Sequence, residues 1–243
     1  MSISRSAERF VMTRGVATAL IICLLGVSLP VPVGAHHVGV FTPKDDDITK
    51  NFKHIKSAGQ AGAFEVALKL FDDGILHDTM EKHEKGLPSG LEDGLRASLR
   101  ARDFPGVELR LSIFLAFLAR ERVRDARARL KNLALSPELR RDHARKILNA
   151  AWRYYNLADF VITRQDPKAA AALRVAFEDA QTYLGGMMVD PMWAASGEVK
   201  PAPPDDGKAA TTVALMERTL GEVIRDGARI ARSGRANEFL PRQ

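Results

Sequence analysis

The 243-residue chain contains a single cysteine, and this absence excludes several kinds of site. One cysteine cannot form an intramolecular disulfide, a cysteine-based zinc cluster or the CxxCH attachment of a covalent haem. The sequence also lacks the GxGxxG and GxxxxGK[ST] nucleotide-binding motifs, the GxSxG nucleophile elbow and the HExxH zinc motif. No motif therefore predicts a catalytic function.

A large excess of one charge is also missing. The net charge is +6, which alone is too small to indicate a nucleic-acid-binding protein, although the chain is basic enough to bind anionic partners. Hydrophobic residues make up 46% of the chain and charged residues 27%, which is typical of globular proteins. The composition therefore predicts a folded protein and does not indicate nucleic acid as a partner.

The N-terminal segment has the three parts of a secretory signal peptide. Arginines precede an apolar run at residues 16–29, and Val33 and Ala35 place small residues at the −3 and −1 positions of a cut after Ala35. The run is shorter than the roughly 20 residues that span a bilayer, so a retained membrane anchor is the less favoured alternative. We therefore expect residues 1–35 to be removed and the protein to be periplasmic.

The expected cleavage also removes the only cysteine, Cys23, because it lies within the apolar run. A lipoprotein signal requires a small residue directly before its cysteine, whereas Ile22 occupies that position. A chain without cysteine suits an oxidising compartment and cannot form a disulfide-linked complex. We expect neither lipidation nor a disulfide-linked partner.

Helical spacing of apolar residues recurs along the chain, and no segment shows the sustained alternation of a β-strand. The pattern predicts an all-α fold with about five to seven helices in a single bundle-like domain, residues 36–243. Asp103, Ser136 and Asp166 each precede a proline at a predicted helix start. Glycine and proline residues predict an irregular segment at about residues 185–207.

A predicted helix at residues 61–85 has a polar face that could hold a cation. Asp73, His77 and Glu81 recur every fourth residue, so they share that face of a continuous helix. Two carboxylates and an imidazole are metal-ligating groups, but the same pattern is typical of a solvated helix surface. We regard these residues as a weaker metal-site hypothesis.

Two other segments indicate a possible copper site. Cleavage after Ala35 would leave His36 at the N-terminus, where its amine and imidazole could chelate Cu(II), with His37 as a further ligand. Thioethers are soft ligands that suit Cu(I), and a methionine cluster lies in the segment predicted to be irregular. This cluster consists of Met187, Met188 and Met192. The alternatives are a frayed terminus and methionines that fill a gap in the core.

The basic residues are concentrated at residues 120–146, which contain ten arginines and lysines but only four acidic residues. This segment is predicted to form a helical hairpin with one strongly basic end. Such a surface could contact anionic phospholipids or an acidic envelope protein. We single out Arg122, Arg129 and Arg141 as candidate partner-binding residues, with a solvated charged surface as the alternative.

These observations favour an exported, non-enzymatic helical protein that acts as an accessory by binding an envelope partner. The alternative hypothesis is a periplasmic copper-handling protein that uses the N-terminal histidines and the methionine cluster. No grouping of nucleophile, base or paired carboxylates in the sequence supports a specific enzymatic reaction.

Overall fold

A computed structural model describes residues 45–185 and 203–239, and both segments belong to one compact unit. Within these residues the fold is all-α: there is no β-strand, and eight helices contain eight residues or more. None of the described helices is long and apolar enough to cross a bilayer. The helices are α1 Asp47–Gln60, α2 Phe64–Asp72, α3 Ile75–Lys82, α4 Leu91–Arg100, α5 Phe104–Lys131, α6 Pro137–Gln165, α7 Pro167–Tyr183 and α8 Asp206–Ser233, followed by the single turn α9 Ala236–Phe239.

The helix count exceeds the predicted five to seven because the helix expected at residues 61–85 is divided at Gly74. A β-carbon at Gly74 would lie 2.3 Å from the carbonyl oxygen of Leu70 and 2.5 Å from Oδ1 of Asn51. Asn51 also accepts a hydrogen bond from the amide of Leu76, so a residue of α1 holds the two helices at the break. The break changes the buried face: Ile75 is exposed, whereas Leu76 and Met80 are buried.

The three helix starts predicted from the sequence are confirmed. Asp103, Ser136 and Asp166 each precede the first turn of a long helix, and their side chains accept hydrogen bonds from backbone amides two or three positions later. These bonds satisfy amide groups that have no partner within the helix. The same local signals therefore fix the starts of α5, α6 and α7.

The N-terminal half of α5 forms the centre of the core. Residues 109–118 are apolar on nearly all sides of the helix, which predicts that this segment runs through the core. The structure confirms this, because almost every residue from Val107 to Ala119 is buried, including Phe114, Leu115 and Phe117. Helices α6 and α8 make the most extensive contacts with α5, and α4, α1 and α9 also pack against it. Because this half of α5 has no polar face, other helices must surround it.

Polar contacts between helices fix the way in which they pack. Lys56 of α1 forms a 2.6 Å ion pair with the buried Glu108 of α5. The hydroxyl of Tyr154 in α6 donates to Asp46 at 2.9 Å, and that of Tyr155 donates to the carbonyl of Ala170 in α7 at 2.9 Å. Burial raises the pKa of Tyr154 to about 12 and raises that of Tyr155 further. Both phenols therefore stay neutral donors near neutral pH.

Replacing Leu115 with alanine is expected to lower the free energy of unfolding by about 2–5 kcal/mol, since it removes a fully buried side chain and leaves a cavity. Chemical denaturation measures this change. The matched control is Val175→Ala on the exposed surface of α7, which should change stability by less than about 0.5 kcal/mol. Equal effects of the two substitutions would contradict the central position of α5.

Candidate functional site

The predicted copper ligands lie outside the residues that the structure describes. These are His36, His37, Met187, Met188 and Met192. The copper hypothesis therefore stays a prediction from the sequence. The other candidate residues lie in two places: the basic hairpin, and a cluster around His77.

The basic hairpin is formed by the end of α5, a loop at residues 132–136 and the start of α6. The first turns of α8 lie against it, and α5 and α8 run antiparallel, because Arg110 contacts Ala231 whereas Arg127 contacts Glu217. We call residues 120–146 together with residues 206–218 the basic end.

Two carboxylates of α8 form ion pairs with four arginines of the hairpin. Glu217 accepts from Arg124 at 2.9 Å and from Arg127 at 2.8 Å. Burial by itself raises the pKa of Glu217, but hydrogen bonds from the two arginines outweigh this effect and hold the pKa below its ordinary value. These arginines therefore stabilise the contact between α5 and α8.

Asp206 at the start of α8 makes the second set of ion pairs. Its carboxylate lies 3.2 Å from Arg141 and 3.7 Å from Arg140. The side chain of Arg141 is only 19% exposed and also contacts Glu138. The structure therefore places Arg141, one of the three predicted partner-binding residues, in an internal contact.

Three other cations at the basic end remain available to a partner. Arg129, Lys131 and Arg218 are exposed, and none of them forms an ion pair with a carboxylate of the described segments. Arg122 is also exposed, and its one ion pair within the described segments is with Asp125 of its own helix, at 3.4 Å. Exposed pairs of this kind contribute little to stability and are readily exchanged. Arg129 and Arg122 thus stay accessible, as the sequence hypothesis requires.

A groove of about 590 Å³ runs between the last turns of α5 and the first turns of α8. Its lining includes the apolar Leu130 of α5 and Leu215 of α8 and the basic Lys131 and Arg218. The remaining lining residues are Arg127, Asp206, Ala210, Thr211 and Ala214. The groove therefore combines apolar side chains with cations.

Exposed leucines lie on the same end of the protein. Leu133 in the hairpin loop is 83% exposed, Leu139 at the start of α6 is 49% exposed and Leu215 in the groove is 38% exposed. Exposed leucines at the same end as basic residues that form no ion pair among the described residues suit a surface that binds a partner. Their exposure could not be predicted from the sequence, because it depends on how the helices pack.

The cluster around His77 differs from the one predicted from the sequence. His77, Asp78 and Glu81 could hold a metal ion, since their ligand atoms lie within 4.8 Å of one another. Asp73 is not part of this group, because it ends α2 before the break at Gly74. Glu92 of α4 approaches instead, with its Oε1 3.2 Å from Nε2 of His77.

Arg96 of α4 supplies a positive charge to this cluster. Its guanidinium lies 2.9 Å from Nε2 of His77, donates to Asp72 at 2.8 Å and contacts Glu92. The hydrogen bond to Asp72 is the main cause of the raised pKa of Arg96, so the group stays charged. The guanidinium therefore lies against one of the two ring nitrogens with which His77 could bind a cation, and it joins α2, α3 and α4.

Comparison with family models, curated proteins and solved structures finds no match to this chain. The function of the protein is therefore inferred from the geometry of the basic end and of the cluster around His77.

Replacing Arg96 with methionine is expected to create zinc binding, because it frees Glu92 and the Nε2 atom of His77. Zinc should raise the melting temperature of Arg96→Met by several degrees but change that of the parent protein little. Arg100→Met in the last turn of the same helix is the matched control. Equal stabilisation of the parent and Arg96→Met by zinc would contradict the role assigned to Arg96.

Proposed function

We propose that this protein is a non-enzymatic accessory protein of the cell envelope that binds an anionic partner through its basic end. The observation that carries the proposal is the combination of exposed leucines with three cations that form no ion pair among the described residues: Arg129, Lys131 and Arg218. Apolar contacts supply affinity, and the cations select an anionic partner and accelerate association. The signal-peptide pattern supports an envelope location.

Three side chains with shifted pKa values, Arg110, Tyr154 and Tyr155, make contacts inside the protein and do not line the groove. Burial lowers the pKa of Arg110, and this side chain donates to Ser98, to the carbonyl of Gly106 and to the carbonyl of Ala231. Tyr154 and Tyr155 likewise donate to internal acceptors. None of these three side chains lines the groove. Their shifted pKa values therefore accompany packing contacts between helices.

Photo-crosslinking in the cells that make the protein tests this proposal. A photoreactive amino acid at Leu133 or Leu215 should form crosslinked products, because both side chains are exposed at the basic end. The same amino acid at Val175, an exposed residue of α7, should give none of these products. Identical products from all three positions would contradict binding through the basic end.

Charge reversal provides the second prediction. The triple variant Arg129→Glu, Lys131→Glu and Arg218→Glu should weaken partner binding by about a hundredfold or more, because each basic residue near an anionic surface contributes about 1 kcal/mol. The loss of crosslinked product at Leu215 measures this effect in cells. Added salt should also weaken binding, since exposed charges are screened over about 8 Å at physiological ionic strength.

The matched control reverses three exposed cations outside the basic end: Arg100→Glu, Lys168→Glu and Arg225→Glu. It changes the net charge by the same amount, so a general electrostatic effect would affect both triple variants equally. Equal crosslinking in the parent and in the basic-end variant would contradict the proposal.

A further inference from the structure

The groove at the basic end is long enough along α8 to accept a helix. It is lined by α8 and by three residues at the end of α5, Arg127, Leu130 and Lys131. Its α8 wall extends from Asp206 to Arg218, a distance of about 18 Å at the helical rise of 1.5 Å per residue. This length matches about three turns of a third helix.

Small residues on α8 allow a partner helix to approach closely. Ala210 and Ala214 lie four residues apart, and Thr211 and Leu215 form a parallel row beside them. Rows with this spacing are the ridges and grooves through which helices pack, with their axes 8–10 Å apart. The half-buried alanines leave room for apolar side chains that project from a partner helix.

The charges along the groove define the chemistry of its occupant. Lys131 lies on the α5 wall and Arg218 on the α8 wall, and both lack an ion pair within the described segments. The acidic residue of the lining, Asp206, already contacts Arg140 and Arg141. A carboxylate of the partner therefore meets two available cations, while the negative charge of Asp206 is compensated internally.

We propose that this groove binds an acidic amphipathic helix of a partner protein. The occupant places a row of apolar side chains against Ala210, Ala214 and Leu215, and it directs carboxylates to Lys131 and Arg218. This inference rests on the proposed function and deepens it by specifying the partner. A bilayer surface fits the groove less well, because a flat surface cannot fill a concave floor between two helices.

A designed peptide provides a direct test on the full-length chain. The probe is a 16-residue acetylated helix with leucine and alanine on one face and glutamate on both flanks. On binding, the NMR amide signals of Lys131, Ala210, Ala214 and Leu215 should shift. A peptide with lysine in place of each glutamate should bind at least about tenfold more weakly, because its charges are repelled.

Substitution of Ala214 by tryptophan tests the groove without altering any charge. The large indole ring would fill part of the groove, so the affinity for the acidic peptide should fall at least tenfold. Ala172→Trp on the exposed surface of α7 is the matched control and should leave affinity unchanged. Circular dichroism melting curves establish that both variants are folded.

The results separate this inference from the proposed function. Equal affinity of the parent and Ala214→Trp for the peptide, or signal shifts confined to other surfaces, would overturn the groove assignment.

The same binding measurement is made with vesicles that contain phosphatidylglycerol. If they bind the parent and Ala214→Trp equally while the peptide does not bind, the helix proposal fails and an anionic partner at the basic end is retained. If the crosslinks at the basic end are also absent in cells, both proposals fail.

Discussion

The rest of the fold depends on the burial of one apolar half of α5. Phe114, Leu115 and Phe117 are excluded from solvent, and no face of this half is polar enough to lie at the surface. Helices α6 and α8 therefore make their most extensive contacts with this helix, and α4 and α1 also pack against it. Beyond Ala119 the same helix becomes rich in arginine and extends to the basic end. One continuous helix thus contains both the centre of the core and part of the proposed binding surface.

Two carboxylates of α8 hold the basic end together by pairing with four of its arginines. Glu217 and Asp206 bind arginines from both arms of the hairpin, which holds the hairpin and α8 in a fixed arrangement. This internal compensation divides the basic residues into two groups. The paired arginines hold the helices beside the groove in place. Arg129, Lys131 and Arg218 form no ion pair within the described segments, so their charges are available to a partner. The proposed binding surface is therefore narrower than the run of basic residues in the sequence.

Local signals explain what could be predicted from the sequence. Aspartate or serine before a proline marked the starts of α5, α6 and α7, and the apolar run in α5 indicated its burial. The break at Gly74 was missed because the close contact comes from Asn51, which belongs to another helix. For the same reason the sequence could not show that Glu92 and Arg96 join His77, or that Arg141 is occupied by Asp206. The groove was not predicted either, since its two walls are distant in sequence.

Native-state hydrogen exchange tests most directly whether α5 is divided into a core half and a surface half. Amides of residues 111–119 are expected to exchange only through global unfolding, because the surrounding helices must separate first. Amides of residues 127–131 should exchange through local openings of lower free energy, since ion pairs and partly exposed leucines hold that end. Equal protection along the whole of α5, or stronger protection at residues 127–131, would contradict this division of the helix.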